Sequence, residues 1–170
     1  MNRRNFIFRI VPATVGMVAS GLFARSVLAA AGNSNAIDPK WRLTPQQWRK
    51  RLTPKQYYIL REAGTELPGS SPLDRENRAG IYHCAGCELP LFSSAAKYDS
   101  GTGWPSFYEP LPHAVITRTD TNWLISRTEA HCARCHGHLG HVFDDGPPPT
   151  GLRYCINGVA LHFVPAKGSA

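Results

Sequence analysis

The chain has 170 residues, 42% of them apolar, which is enough for one domain with its own core. Its formal charge of +7 comes largely from the first 31 residues, which hold four arginines and no acid. Beyond them 15 Lys+Arg stand against 12 Asp+Glu, a net of +3, too mild an excess to argue for nucleic acid or a membrane surface as partner.

The opening stretch reads as an export signal. Arg3 and Arg4 precede Asn5-Phe6-Ile7, an apolar run follows from Ile10 to Ala24, and Ala29-Ala30-Ala31 supplies the small residues that precede cleavage. The paired arginines resemble a twin-arginine signal, a route that carries folded proteins. The apolar run is short against the about 20 residues of a spanning helix, and an uncleaved anchor is the other reading. Residues 1–31 are therefore expected to be a signal peptide, and the mature protein to be periplasmic or secreted with no stable membrane association. Both methionines, Met1 and Met17, would leave with the signal.

Residues 32–43 are a polar lead-in. Thr44-Pro45-Gln46-Gln47 and Thr53-Pro54-Lys55-Gln56 then repeat one helix start: Thr as cap, Pro at the first helical position, Gln where a capping box wants it. The second helix is expected to stop at Gly64, and both to pack on the outside of the main domain. Residues 67–77 read as a surface loop. After it come short apolar or alternating runs split by Gly and Pro: Ile81-Tyr82, 89–92, 114–117, 123–127, 141–143, 153–157 and 159–164. This spacing predicts an antiparallel β domain over 44–166, with 167–170 as a tail.

Four of the five cysteines fall in two pairs. Cys84-x-x-Cys87 and Cys132-x-x-Cys135 have 44 residues between them. Four thiolates bind zinc tetrahedrally, and a two-residue gap lets each pair grip from a tight turn. The predicted zinc is structural, joining two distant loops of one sheet domain. Disulfides are the alternative in an exported protein. A second alternative is haem, because Cys132-Ala133-Arg134-Cys135-His136 matches the c-type attachment pattern. Against haem, the chain beyond the signal has no Met to serve as axial ligand, and Glu88 stands where a second site would need His. A zinc-ribbon binding module without catalysis is a third class; it would want a basic face, and it leaves the fifth cysteine idle.

That fifth cysteine lies in Gly151-Leu152-Arg153-Tyr154-Cys155-Ile156-Asn157, whose residue types favour a strand. Alternation would turn Tyr154 and Ile156 to a core and put Arg153, Cys155 and Asn157 on the other face. A small buried Cys on a core strand is the plain alternative. A thiol beside a fixed positive charge ionises more readily, and the thiolate is the nucleophile.

Five stretches together resemble the B-type methionine sulfoxide reductases: Gly80-Ile81-Tyr82-His83-Cys84, Lys97-Tyr98-Asp99-Ser100-Gly101-Thr102-Gly103-Trp104-Pro105-Ser106-Phe107, Arg127-Thr128-Glu129, His138-Leu139-Gly140-His141-Val142-Phe143 and Arg153-Tyr154-Cys155-Ile156-Asn157. The resemblance runs from about Trp48 to Pro165. It implies a mainly β fold of two small antiparallel sheets with short N-terminal helices and a structural zinc on Cys84, Cys87, Cys132 and Cys135. It further implies reduction of the R epimer of methionine sulfoxide, mostly within oxidised proteins. By the same resemblance Cys155 is the nucleophile with Arg153 beside it, His141 the proton donor with Asn157 near it, and Trp104, His138 and Phe143 the substrate pocket. His113 is expected at the margin of the site, and His83, His131, His136 and His162 are expected to be structural. Many family members close a disulfide with a second Cys just before the Gly-Trp-Pro-Ser-Phe stretch; here that position is Thr102. A sulfenic acid at Cys155 is therefore expected to be reduced by an external thiol of a thioredoxin-like or glutaredoxin-like partner, with attack by a zinc-ligand Cys as the alternative. Gly158 also departs from the Ser common in the family. A monomer is expected.

Overall fold

Thr44 and Thr53 each open a helix in the computed structural model, which describes residues 37–120 and 126–168. The helices are α1 (Pro45–Arg51) and α2 (Pro54–Glu62), each with a complete capping box. Thr44 Oγ1 accepts from the Gln47 amide at 3.3 Å while Gln47 Oε1 accepts from the Thr44 amide at 2.7 Å, and Thr53 and Gln56 repeat the exchange. Two orphan amides are satisfied at each start, which lets helices of two turns persist. They pack on the outside of the main domain, as expected, each through one face: Trp48, Ile59 and Leu60 are each 2% exposed and belong to the main core, while the rest of α1 is exposed. Helix α2 stops where expected: Ala63 takes the left-handed turn at φ 51°, and the Gly64 amide donates to the Tyr58 carbonyl at 3.0 Å.

Among the described residues nine strands follow. They are β1 (Gly80–Cys84), β2 (Pro90–Ser93), β3 (Lys97–Tyr98), β4 (Ser106–Phe107), β5 (Val115–Asp120), β6 (Arg127–Cys132), β7 (His138–Phe143), β8 (Arg153–Ile156) and β9 (Leu161–Pro165). They form a three-stranded sheet in the order β2-β1-β9 and a six-stranded sheet in the order β3-β4-β8-β7-β6-β5, antiparallel throughout. The two sheets meet at aromatic side chains: Phe92 of β2 stacks on Phe107 of β4 at 4.3 Å, and Tyr82 of β1 meets the same ring edge-on at 5.0 Å. All three are fully buried, so the junction is a core of large apolar surfaces that bury best against one another.

The expected strands at 81–82, 89–92, 114–117, 141–143 and 153–157 all fall within or overlap observed ones. The short β3 and β4 carry too few residues for any periodicity, so they were not foreseen. Of the run expected at 123–127, only Arg127 is in a described strand; residues 121–125 lie outside the described part, as do residues 1–36, on which the expected export signal falls. The stretch 67–77 is a surface loop, as expected, but it is tied down. Gly69 donates to the Gly103 carbonyl at 2.7 Å, and Ser71 is buried. Among the described residues no helix is long and apolar enough to cross a membrane.

Candidate active site

The site is built on three adjacent central strands and depends on an irregularity in one of them. On a regular strand His138 and His141, three residues apart, would face opposite ways. The β6–β7 pairing shifts register between Ala130 and His131, so that His131 opposes His138 while Glu129 opposes His141. One extra residue on β7 restores the parity and brings both histidines to one face. Gly140 makes this possible. A Cβ there would lie 2.0 Å from the Cys155 carbonyl oxygen, so only glycine lets β7 lie this close to β8. His141 in turn opposes Cys155 across β7–β8. Cys155, His141 and Glu129 therefore stand abreast on β8, β7 and β6, with about 5 Å between successive backbones.

A cleft of about 650 Å³ opens over that face, lined by Trp104, His138, His141, Phe143, Cys155 and Asn157 among others. Six of the sequence-derived residues are thus brought to one cavity. Arg153 is not in its lining. It lies behind, stacked on the Phe143 ring at 4.3 Å and bound through two hydrogen bonds of 2.8 Å to Asp145. His113 is not there either; it is exposed, in a turn at φ 58°. Asn157 is tied at both ends of its amide: Oδ1 accepts from the Glu66 amide at 2.9 Å, and Nδ2 donates to the Leu139 carbonyl at 3.0 Å. Trp104 Nε1 donates to the Glu66 carbonyl at 3.2 Å. The Glu66 carboxylate accepts from the Gly158 and Val159 amides. This one acidic residue therefore fastens the loop after α2 to both Trp104 and the end of β8. Sequence reasoning did not find it, since its partners lie 38 to 93 positions away.

Burial settles the protonation of the site. The Cys155 thiol is pushed up by desolvation, which outweighs the pull of Arg153 and of the Thr102 hydroxyl. Arg153 does favour the thiolate, as expected, through its charge and a hydrogen bond, but it does not outweigh burial. His141 is pushed down, first by burial and then by Arg127. The resting pair is a thiol and a neutral imidazole.

Glu129 was quoted in a motif but given no role, and it holds the histidines. Burial would raise its carboxyl, yet His131 and His138 together keep it ionised. One oxygen meets His138 Nδ1 and the other lies 3.0 Å from His131 Nε2. A carboxylate only accepts, so His138 Nδ1 carries the hydrogen and Nε2 is left as a bare acceptor. That Nε2 is buried with no hydrogen-bond partner among the described residues; Nε2 of His141, whose ring lies 5.5 Å from that of His138, has only Asp120 Oδ2 at 3.9 Å. Two ring nitrogens that lack a close hydrogen bond in one cleft are what a polar substrate group would satisfy. Glu129→Ala should free the His138 ring and lower kcat about tenfold or more while KM changes little; steady-state kinetics at fixed reductant measure this.

Cys84 and Cys87 bracket the β1–β2 turn, Cys132 and Cys135 the β6–β7 turn, and all four are buried. Their sulfurs lie within 4.8 Å of one another, with Cys84–Cys135 at 3.7 Å and Cys87–Cys132 at 3.4 Å. Disulfides would bring sulfurs to about 2.05 Å. Ligands at about 2.3 Å around a tetrahedral ion stand about 3.8 Å apart, so the cage fits a metal. The haem reading does not survive: each pair faces the other pair, and His136 turns away to Arg118 at 2.9 Å. The cage joins two distant loops of the β domain, as expected, and those loops are the turns of its two different sheets.

Residues 52–165 match the SelR domain family. The chain belongs to that family. Its relatives include proteins named peptide methionine sulfoxide reductase MsrB. That of Thiobacillus denitrificans is 60% identical over 72% of this chain and 93% of its own. That of Agrobacterium fabrum is 53% identical over 78% and 98%, and that of Pseudomonas putida strain W619 54% identical over 74% and 96%. Within a SelR domain, the paired cysteines are the metal cage and Cys155 is the one cysteine outside it.

Proposed function

We propose that this SelR-domain protein reduces the R epimer of methionine sulfoxide, chiefly within oxidised polypeptides, with Cys155 as nucleophile and zinc as the caged metal. The observation that carries this is the placement of Cys155: in the cleft, partly exposed, opposite His141, and apart from the four caged cysteines. The relatives' names point to the same substrate. The Cys155 sulfur attacks the sulfoxide sulfur as its oxygen gains a proton through His141; the oxygen passes to Cys155 as a sulfenic acid, and methionine leaves. An external thiol then forms a mixed disulfide with release of water, and a second thiol restores Cys155. Trp104 offers the methyl group a flat apolar wall, and His141 offers the oxygen a donor when a ring nitrogen facing the cleft carries the hydrogen. With wall and donor fixed, one epimer presents both groups correctly and the other does not. The test uses separated R and S sulfoxides of a blocked methionine with dithiothreitol. Turnover of R alone is expected, and one turnover without reductant should leave Cys155 heavier by one oxygen. Turnover of S, or an internal disulfide, would refute the scheme.

The pH profile has a distinctive shape. The reaction consumes one proton shared between Cys155 and His141. With the imidazole below its ordinary 6.5 and the thiol above its ordinary 9.0, the singly protonated pair prevails between. Below the histidine value the pair carries a second proton; above the cysteine value it carries none. kcat/KM should therefore be flat from under 6.5 to over 9.0, and a narrow bell near pH 7 would contradict this assignment.

Export rests on Arg3, Arg4 and the run to Ala31. A twin-arginine route fits a metal cage filled before translocation, and would place this repair activity in the periplasm or outside the cell.

A further inference from the structure

Glu129 and His131 are two residues apart on β6, so their side chains leave the same face of the strand. His138 on β7 opposes His131 across the ladder. Three groups able to ligate a metal are thereby gathered at one point, with no sulfur among them. Their ligand atoms lie within 4.8 Å of one another. His131 Nε2 stands 3.0 Å from Glu129 Oε2, and His138 Nδ1 meets Glu129 Oε1. The two imidazole rings, 6.0 Å apart and at 80°, converge on the carboxylate rather than stack.

His131 Nε2 is the atom that the surrounding protein does not satisfy. His131 is 7% exposed, and its Nδ1 lies 3.3 Å from the His136 carbonyl. A carbonyl only accepts, so Nδ1 carries the hydrogen, and Nε2 of a neutral ring is a lone pair. That lone pair faces a carboxylate oxygen, which also only accepts. The contact is close but is no hydrogen bond, and Nε2 has no hydrogen-bond partner among the described residues. Two buried acceptors 3.0 Å apart call for a cation beside them. A proton on Nε2 would point along the ring axis, where the oxygen is not placed to receive it. A metal ion on that axis takes the oxygen from the side, and two zinc ligands at about 2.0–2.1 Å stand about 3.3 Å apart. A ligating histidine donates its other ring hydrogen to an acceptor that fixes the ring, as His131 does to the His136 carbonyl. Glu129 is ionised, and burial keeps the His138 ring below its ordinary range and neutral, which are the forms that bind metal.

We propose that Glu129, His131 and His138 form a second metal site, for one divalent ion of zinc's kind, and that filling it turns His138 from an acceptor into a donor toward the cleft. Imidazole and carboxylate donors suit zinc, copper(II) or nickel(II) better than magnesium or calcium. Glu129 and His138 line the cleft, so an ion can reach them from it. As the ion takes the His138 Nδ1 lone pair, the hydrogen there passes to water and Nε2 takes one up. The ring stays neutral, no electron is transferred, and the bonds formed are those from nitrogen and oxygen to the metal. Nε2, a bare acceptor while Nδ1 holds the hydrogen, then presents a hydrogen of its own. What this does to turnover rests on the proposed reaction; the binding of the ion does not.

The experiment takes the full chain with its cysteine cage filled by zinc, dialyses it to equilibrium against further zinc, and counts the metal by mass spectrometry. One zinc per chain beyond the cage is expected. Glu129→Gln and His131→Ala should each weaken that second ion about tenfold or more, with the cage ion retained. Cys155→Ser and His141→Ala alter the same cleft without removing a ligand, and should keep it. Nitrogen-15 spectra of the wild-type rings should show the His138 hydrogen on Nδ1 before the second zinc and on Nε2 after it. This last reading needs no variant, and decides even where a buried substitution does not fold. A chain that takes up the cage ion only, a second ion that survives both Glu129→Gln and His131→Ala, or one lost with Cys155→Ser, would overturn the site. Failure of the proposed reaction would show separately, as turnover surviving Cys155→Ser.

Discussion

Cys155→Ser should abolish sulfoxide reduction, by about a thousandfold or more, while leaving fold and metal content unchanged. The size follows from the atom lost. A sulfoxide sulfur yields to a soft, polarisable nucleophile, and a serine oxygen is neither soft nor ionised near neutral pH. The harmlessness to fold follows from the surroundings. Cys155 is partly exposed at the floor of a cleft, its backbone is held in ladders to β4 and β7, and a serine hydroxyl can take its place beside Thr102. The measurement is turnover of the blocked R sulfoxide with dithiothreitol, alongside the melting temperature and bound metal. Retained turnover would remove Cys155 from the chemistry, since every other cysteine is buried in the metal cage.

The elements that could be read from the chain are those whose signal is local. The capping boxes at Thr44 and Thr53 involve residues three apart, and they are found as expected. The cysteine pairs carry their own spacing, and they converge. What escaped is what depends on pairing. His138 and His141 share a face only through the register shift beside Ala130, and no count of positions along β7 would place them together. Gly140 was the available sign, a glycine inside a strand that marks a bulge or a close backbone approach. Glu129 meets His141 and His138 from the next strand, and Glu66 reaches Gly158 from the loop after α2. The net shift of the thiol depends on packing in the same way, although Arg153 does pull it down as expected. Arg153 and Cys155 are neighbours on a face, but the partner that holds Arg153 is Asp145, and the burial that governs the thiol comes from packing around it.

Cys135→Ser should be the most damaging change to stability. The cage ties the β1–β2 turn of one sheet to the β6–β7 turn of the other. Arg134 also bridges those turns, donating to the Cys87 carbonyl at 3.0 Å, while Arg61 ties α2 to the Cys135 carbonyl at 3.0 Å. Removing one ligand leaves buried thiolates around an ion that is incompletely held, and breaking a buried ionic set of this kind costs about 3–5 kcal/mol. For a domain of this size that is a fall of about 10–20 °C in melting temperature. Activity should fall as well, because Cys135 is three residues before His138 and the turn it anchors starts the strand that carries both histidines. Arg134→Ala, which removes one hydrogen bond and leaves the cage whole, should cost only about 1 kcal/mol. Thermal melts with metal assayed on the same samples separate the two. If the Cys135→Ser protein melts with the Arg134→Ala protein, the sheets are held together by their aromatic junction at Phe92, Phe107 and Tyr82, and the metal is incidental to the fold.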